Sequence, residues 1–407
     1  MTKSAIGAAD VVVIGGGIMG LSTAWQLAKL GAGRVVVLER AVVAAGATGK
    51  TGALLRQHYC NEPEARLAHL SLNVFKNWTE IVGGDCGHDP TGVVFTVEMG
   101  PGSEENAGRL RRNVAMQNRI GIDSQVVTSA ELKELQPFAE FDDLVIAAYE
   151  PASGYVDSIA TARSLAIAAM REGAEIQEQT GIQSIVVEND RIAGVETSRG
   201  LISTRTVVCA AGPWSTRLLA TAGVTVPITA LRVQIAIVQR PIDLESSHFV
   251  FLDTVNGMFC RPWGPGRSLI GVGGGDQHDE VDPENYEVRN DAGYGALAIG
   301  AAAKRMPSMA NAQYLHGHAG LYDMTPDAHP IIGTSGIGGL YLAAGFSGAG
   351  FKKGPAVGQC LAELIVNGES TASDISAFRL SRFDDDRWQD PWGPDEYVMT
   401  SDFGHKF

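Results

Sequence analysis

The 407-residue chain carries 46 acidic against 32 basic residues, a formal charge of −14, and is 45% apolar and 19% charged. Such a chain is long enough for roughly two or three domains, and its acidity argues against nucleic acid or an anionic membrane as the main partner, while any local basic pocket stands out against it. Five widely spaced cysteines without a C-x-x-C pair predict neither a disulfide framework nor a zinc site. No apolar run reaches the roughly 18 residues of a membrane span, so the chain reads as cytoplasmic.

Residues 10–40 read DVVVIGGGIMGLSTAWQLAKLGAGRVVVLER. Val11 to Ile14 is a continuous β-branched run, the pattern of a buried parallel strand. Gly15, Gly17 and Gly20 supply G-x-G-x-x-G, Leu21 to Leu30 has helical spacing, and RVVVLE is a second strand ending in Glu39. Gly15 permits the tight turn, Gly17 lets backbone approach a pyrophosphate, and Gly20 lets helix and strand pack closely. Glu39 stands about where an acid accepts bonds from ribose hydroxyls. The whole frame predicts a dinucleotide site. Later glycine clusters, GVGGGD at 271–276 and GTSGIGG at 333–339, lack this frame, so one dinucleotide and no reductant domain is expected.

Further along, 41–60 is a glycine-rich turn leading into a basic, aromatic stretch. Helices are expected over 64–82, 128–137 and 158–172, and a strand over 92–98. A hairpin turning at Asn189-Asp190 leads to a buried strand in TVVCAAG, an arrangement typical of large FAD-binding domains rather than NAD dehydrogenases. Residues 230–275 read as alternating strands, 283–305 as a helix and LYLAA (340–344) as a buried strand. It precedes GFSGAGFKKGPAVG (345–358), a glycine-rich loop running into a helix start, suited to an anion or an electron-rich ring.

GATGKTGALLRQHY, GYVD (154–157), VVCAAGPW, TPDAHPIIG (325–333) and GFSGAGFKKGP together resemble the D-amino-acid oxidase superfamily, in its sarcosine oxidase, dimethylglycine dehydrogenase and glycine oxidase branch. The resemblance spans about 10–382. It implies a mixed α/β fold: a Rossmann-like FAD-binding domain (1–90, 150–228 and 320–383) with an inserted antiparallel-sheet substrate domain (91–149 and 229–319) and a C-terminal tail (384–407). It implies FAD contacts from Gly15, Gly17, Ile18, Met19, Gly20, Glu39 and Arg40, then from Thr48, Gly52, Ala53 and Leu54. Ile182, Ala211 and Gly212 follow, and finally Gly348, Ala349, Gly350, Phe351 and Lys352 of the late loop.

By the same resemblance Arg56 and Lys352 bind a substrate carboxylate and Tyr322 borders the substrate. Lys353 reads as solvated, and the turn with Asp327 and Pro330 is expected to border the flavin. His58, His316 and His318 read as structural or solvent-facing. The implied reaction is oxidation of the C–N bond of a small secondary or N-methylated amino acid, by hydride transfer to flavin N5, giving an imine that hydrolyses. A D-amino-acid or 2-hydroxyacid dehydrogenase would use the same clamp, and a flavin subunit of a multi-subunit amine oxidoreductase is a further reading.

Departures from the family matter as well. Gly320 stands where sarcosine oxidases carry the cysteine bonded to FAD, and Lys50 where the dimethylglycine dehydrogenase branch carries its linking histidine, so FAD is expected to be noncovalent. Leu269 falls near the oxygen-activating lysine and Ala349 replaces a loop histidine. The electron acceptor therefore stays open between O2 and an electron-transfer flavoprotein or quinone. The aromatic tail (Trp388, Trp392, Tyr397, Phe403) reads as a strap on its own domain, with a subunit contact as the alternative.

Overall fold

The strands Val11–Ile14 and Val35–Leu38 are buried at every position, as parallel strands covered on both faces must be. They lie at the centre of a six-stranded sheet ordered Ile331–Thr334, Leu340–Ala344, Thr206–Cys209, Val11–Ile14, Val35–Leu38, Glu175–Gln177, parallel except for the first pair. Alternate side chains serve two cores. Val11, Val13, Val35 and Val37 face helices Ile18–Lys29, Ser158–Arg171 and Gly354–Asn367, while Val12, Ile14, Val36 and Leu38 face Ile185, Val195 and Leu219. The computed structural model describes residues 5–100, 102–244, 247–273, 279–384 and Trp392.

A four-stranded sheet holds the predicted hairpin, Ile182–Glu188 against Arg191–Thr197. Asn189 and Asp190 turn it with φ of 50° and 58°, and two positive φ values in succession are what a tight hairpin turn demands. An eight-stranded sheet runs in the order Gln313–Met324, Thr229–Gln239, Arg267–Val272, Met258–Pro262, Val250–Asp253, Val93–Glu98, Leu144–Glu150, Gln125–Val127. The strand Gln313–Met324 runs unbroken across the expected 319/320 boundary. The stretch 271–276 is described only as far as Gly273.

Two helical expectations need correction, and one further helix was not expected. The helix expected over 283–305 spans only Tyr294–Arg305, starting after Gly293 with φ 87°. The residues before it bend round Arg232, whose guanidinium donates to the Glu287 and Arg289 carbonyls at 2.8 Å each and to the Asp291 carboxylate; carbonyls turned to an arginine cannot close a helix. The helix over 64–82 is two, Glu62–Lys76 and Trp78–Ile81, broken at Asn77. A 17-residue helix, Ser103–Arg119, went unpredicted.

Helices Ile18–Lys29 and Gly354–Asn367 cross with their backbones nearly touching. A Cβ on Gly358 would come within 2.5 Å of the Ser22 carbonyl carbon. Gly358→Ala is expected to lower stability by about 1–3 kcal/mol, the cost of overpacking. Gly300→Ala, with nothing within 4 Å of its Cβ position, is expected to leave stability unchanged or raise it by up to about 1 kcal/mol; urea denaturation of the two variants checks both.

Candidate active site

A cavity of about 700 Å³ opens at the carboxyl ends of the central parallel strands. The turn after Ile14 enters it. Gly15 has φ 111°, and a Cβ there would lie 2.4 Å from the Ala210 carbonyl oxygen, so only glycine lets the turn pass the neighbouring strand. The first turn of the helix starting at Ile18 borders the cavity through Gly17, Ile18 and Met19, so its positive end lies there. Its Ile18 N–H donates to the Thr48 hydroxyl at 3.0 Å. Glu39, at the end of the next strand, accepts from the Gly16 and Ala41 N–H groups, both at 2.8 Å. These two bonds fix its carboxylate at the cavity edge.

Gly15, Gly17, Ile18, Met19, Glu39, Arg40, Thr48, Gly52, Ala53, Leu54, Ile182, Ala211 and Gly212 all line this cavity. Gly20 does not: a Cβ there would meet the Gly15 carbonyl oxygen at 2.0 Å, so its place is in the helix–strand contact. Arg40 lies over the Trp214 ring at 4.2 Å and pairs with Glu284 at 2.7 Å, and all three border the cavity.

The late glycine loop forms another wall through Gly348, Ala349, Gly350, Phe351 and Lys352. Asp323 pins it, accepting from Gly345 N–H through Oδ2 at 2.8 Å and from Ser347 N–H through its carbonyl at 3.0 Å. Gly348 has φ 79°, and a Cβ would come to 2.7 Å from the Tyr322 ring, so loop and tyrosine are in contact. Ala53 and Ser347, both in the wall, hold positive φ of 52° each without being glycine, and strain of this kind gathers at functional sites.

The two adjacent lysines part company. Lys352 borders the cavity. Lys353, expected to be solvated, is fully buried: its ammonium pairs with Glu64 and lies over the Tyr59 ring at 4.1 Å. Glu64 Oε2 is 2.7 Å from His329 Nδ1. Burial works to raise the Glu64 carboxyl, but Lys353 and His329 outweigh it and hold it well below its usual range. A short 3-10 turn, Phe351–Lys353, rotates successive side chains by roughly a third of a turn, so the two lysines face different surroundings.

The turn at 325–330 also departs from expectation. Asp327 and Pro330 do not line the cavity. Asp327 instead pairs with buried Arg382 at 2.7 Å and accepts from the Trp392 indole at 3.0 Å. Trp392 is buried and stacks on His329 with centroids 3.8 Å apart, so at this residue the tail packs on its own chain. Trp388, Tyr397 and Phe403 lie outside the described residues.

Arg56 and Tyr322 line the same cavity as Lys352. Arg56 is buried, donates to the His58 carbonyl and stacks on Tyr59 at 4.2 Å; this is no surface ion pair. Burial pushes the Tyr322 hydroxyl up, against the pull of Arg56. His58 stands behind, stacked on Phe95 and near Gln117, and burial with the neighbouring Arg56 pushes it down to about 3. It is neutral at working pH and outside the cavity wall. His316 is exposed, and His318 lies 3.3 Å from the Lys50 carbonyl.

Lys50 borders the cavity, and its Cβ lies where a side chain at 320 would meet it, 3.2 Å from a Cβ on Gly320. Leu269 is fully buried and outside the wall. Sequence reading missed the apolar wall of Leu252, Phe259 and Val272, whose alternating strands gave no sign of which face met the cavity. It also missed the buried Glu150.

A family model described as FAD dependent oxidoreductase matches residues 10–364. The chain belongs to the DAO family of FAD-dependent oxidoreductases. This oxidoreductase is 31% identical over 401 residues to the mitochondrial sarcosine dehydrogenase of Mus musculus, covering 93% of this chain and 42% of that protein. It therefore spans less than half the length of that relative. It is 28% identical to the sarcosine oxidase subunit beta of Rhizobium meliloti, over 92% and 88% of the two chains. The crystal structure of L-proline dehydrogenase from P. horikoshii superposes with a TM-score of 0.84 at 30% identity, over 93% and 98% of the chains. The helix start at Ile18, the Gly15 turn and the Glu39 carboxylate on one cavity wall fit an FAD nucleotide. No helix among the described residues is long and apolar enough to cross a membrane.

The lysine pair yields a sharp contrast. Lys353→Met strands the Glu64 charge in the core and is expected to cost about 3–5 kcal/mol. Lys352→Met, at the cavity wall, is expected to cost less, about 1–2 kcal/mol, and urea melts of both variants decide.

Proposed function

We propose that this flavoprotein oxidises the C–N bond of a small secondary or N-methylated amino acid to an imine, which water then hydrolyses. The observation that carries this is the convergence of two cations, buried Arg56 and Lys352, on the cavity that holds the nucleotide cradle. In an acidic chain, two buried cations on a cavity wall that Arg40, Lys50 and Arg217 also border call for an anionic ligand group. Arg56 offers a carboxylate a planar two-pronged donor, and Lys352 adds a point charge. Tyr322 and the apolar wall of Leu252, Phe259 and Val272 take the carbon frame, exclude water and orient the amine-bearing carbon. FAD, when bound, supplies the two-electron acceptor. The relatives named for sarcosine and proline support an N-alkylated amino acid as the substrate class.

With Gly320 and Lys50 at the two positions where relatives link the cofactor, we hold FAD to be noncovalent. Acid precipitation is expected to leave the yellow colour in solution, and a yellow pellet refutes this. Similarity to a sarcosine oxidase beta subunit favours a second reading, a subunit needing a partner for turnover with O2, an electron-transfer flavoprotein or a quinone as acceptor. Gel filtration with turnover by the lone chain separates the two.

The decisive test is the anaerobic visible spectrum with sarcosine, dimethylglycine, proline, glycine and D-alanine. Loss of the flavin band with an N-alkylated member is expected; bleaching by glycine or D-alanine alone, or by none, overturns the substrate class. Arg56→Lys is expected to raise KM roughly tenfold or more, since a charge-assisted bond is worth about 1.5–3 kcal/mol. A KM within twofold of the parent refutes the carboxylate role.

A further inference from the structure

Glu150 ends the strand Leu144–Glu150 and is 1% exposed. Its Oε2 accepts from the Gln57 N–H at 2.8 Å and from the Ser153 hydroxyl at 2.7 Å. Its Oε1, equally buried, has no hydrogen-bond partner. Gln57 follows Arg56 directly, so this carboxyl holds the backbone of the segment that carries the clamp arginine. Burial is the strongest influence on it, opposed by those two hydrogen bonds and, more weakly, by the charges of Arg56 and Lys352. A carboxylate with one bare oxygen in the interior is costly unless a neighbouring charge or a proton meets it.

We propose that Glu150 is the counter-charge of the Arg56–Lys352 pair and takes up a proton when a ligand carboxylate arrives to replace it as the anion. The inference rests on the carboxylate-clamp reading of Arg56 and Lys352. Without ligand, and above about pH 7, Arg56 and Lys352 face one buried anion. A ligand carboxylate brings a second anion to the same cations, and like charges at one site disfavour ionisation of the more deeply buried group. The O–H bond forms on Glu150 with a proton supplied by the buffer, and no other bond changes. Glu150 is a positioning residue, since it lies outside the cavity wall.

The neighbouring groups leave Glu150 as the one that changes charge near neutrality. Burial pushes its carboxyl up to about 7, against the Gln57 and Ser153 hydrogen bonds and the two cations. On the segment before it, His58 is pushed down to about 3 by burial and Arg56. On helix Glu62–Lys76, His69 is 2.8 Å from the Gln57 side chain and is lowered by burial. Tyr322, beside Arg56, is raised by burial and keeps its proton. The sign follows. Below about pH 7 the carboxyl is already neutral and ligand binds tightly with no proton taken up; above it, binding must draw a proton in and weakens as pH rises.

The test titrates the holoenzyme with acetate, with acetamide as the uncharged control, at about pH 6 and about pH 8. Binding is followed by flavin absorbance and by calorimetry in two buffers of different ionisation enthalpy, which counts protons. We expect acetate to bind roughly fivefold or more weakly at the higher pH, with net proton uptake there. Glu150→Gln, which keeps an acceptor for Gln57 and Ser153, is expected to bind acetate equally at both and take up no proton. Acetate binding by the parent that is pH-independent and proton-neutral overturns the role of Glu150 and leaves the clamp standing, as does proton uptake that persists in Glu150→Gln. Failure of acetate to bind, or equal binding of acetamide, overturns the clamp reading and this proposal with it. Should Glu150→Gln not fold, the proton count of the parent decides alone.

Discussion

The ion pair between Glu64 and Lys353, with His329 at 2.7 Å on the second carboxylate oxygen, joins three segments far apart in the chain. Helix Glu62–Lys76 supplies the acid, the loop after Gly345 the lysine, and the 325–330 turn the histidine. A charge this deep must be met or it unfolds its surroundings, so the three segments hold their places together or not at all. The neighbouring pair of Asp327 with Arg382, capped by Trp392, extends the same network to the end of the described chain. Lys352 stands one residue from this anchor, and that adjacency gives a glycine-rich loop a fixed face toward the cavity. The glycines allow close approach; the buried pair supplies the rigidity they lack.

The central fold was legible because its signals are local. The turn glycines, the β-branched runs at 11–14 and 35–38, Glu39 and the Asn189-Asp190 turn all lie within a few tens of residues of the partners that give them meaning. What escaped depends on distant partners. Nothing nearby in sequence distinguishes Lys352 from Lys353; a partner 289 residues away does. Glu150 looks like any acid at a strand end until Gln57 and Ser153 close over it. Residues 283–293 have composition compatible with a helix, and Arg232 on another strand draws their carbonyls aside. Helix Ser103–Arg119 is so polar that its buried stripe of Ala107, Leu110 and Val114 was easily passed over, although the spacing is helical.

Most of the candidate site was visible by a different route. The nucleotide wall follows from spacing and chain direction alone. Arg56, Tyr322 and Lys352 came from the family resemblance, and the structure brings all three to one cavity. The apolar wall was not visible, because each strand of the eight-stranded sheet has two faces and a sequence does not say which one meets the nucleotide unit.

The cavity is walled by residues from 14 to 56, from 182 to 218, from 231 to 284 and from 320 to 352, so no single stretch contains it. The nucleotide end is made of backbone and glycine, which suits a ligand recognised by its phosphates and ribose. The other walls mix apolar strands with cations, Arg56 and Lys352 among them, and cations beside low-dielectric walls attract an anion strongly only if their own repulsion is relieved. Glu150 provides that relief from behind, outside the cavity, so the front of the clamp stays open to a ligand. Placing the counter-charge one layer back separates the stability of the empty site from its affinity for the occupant.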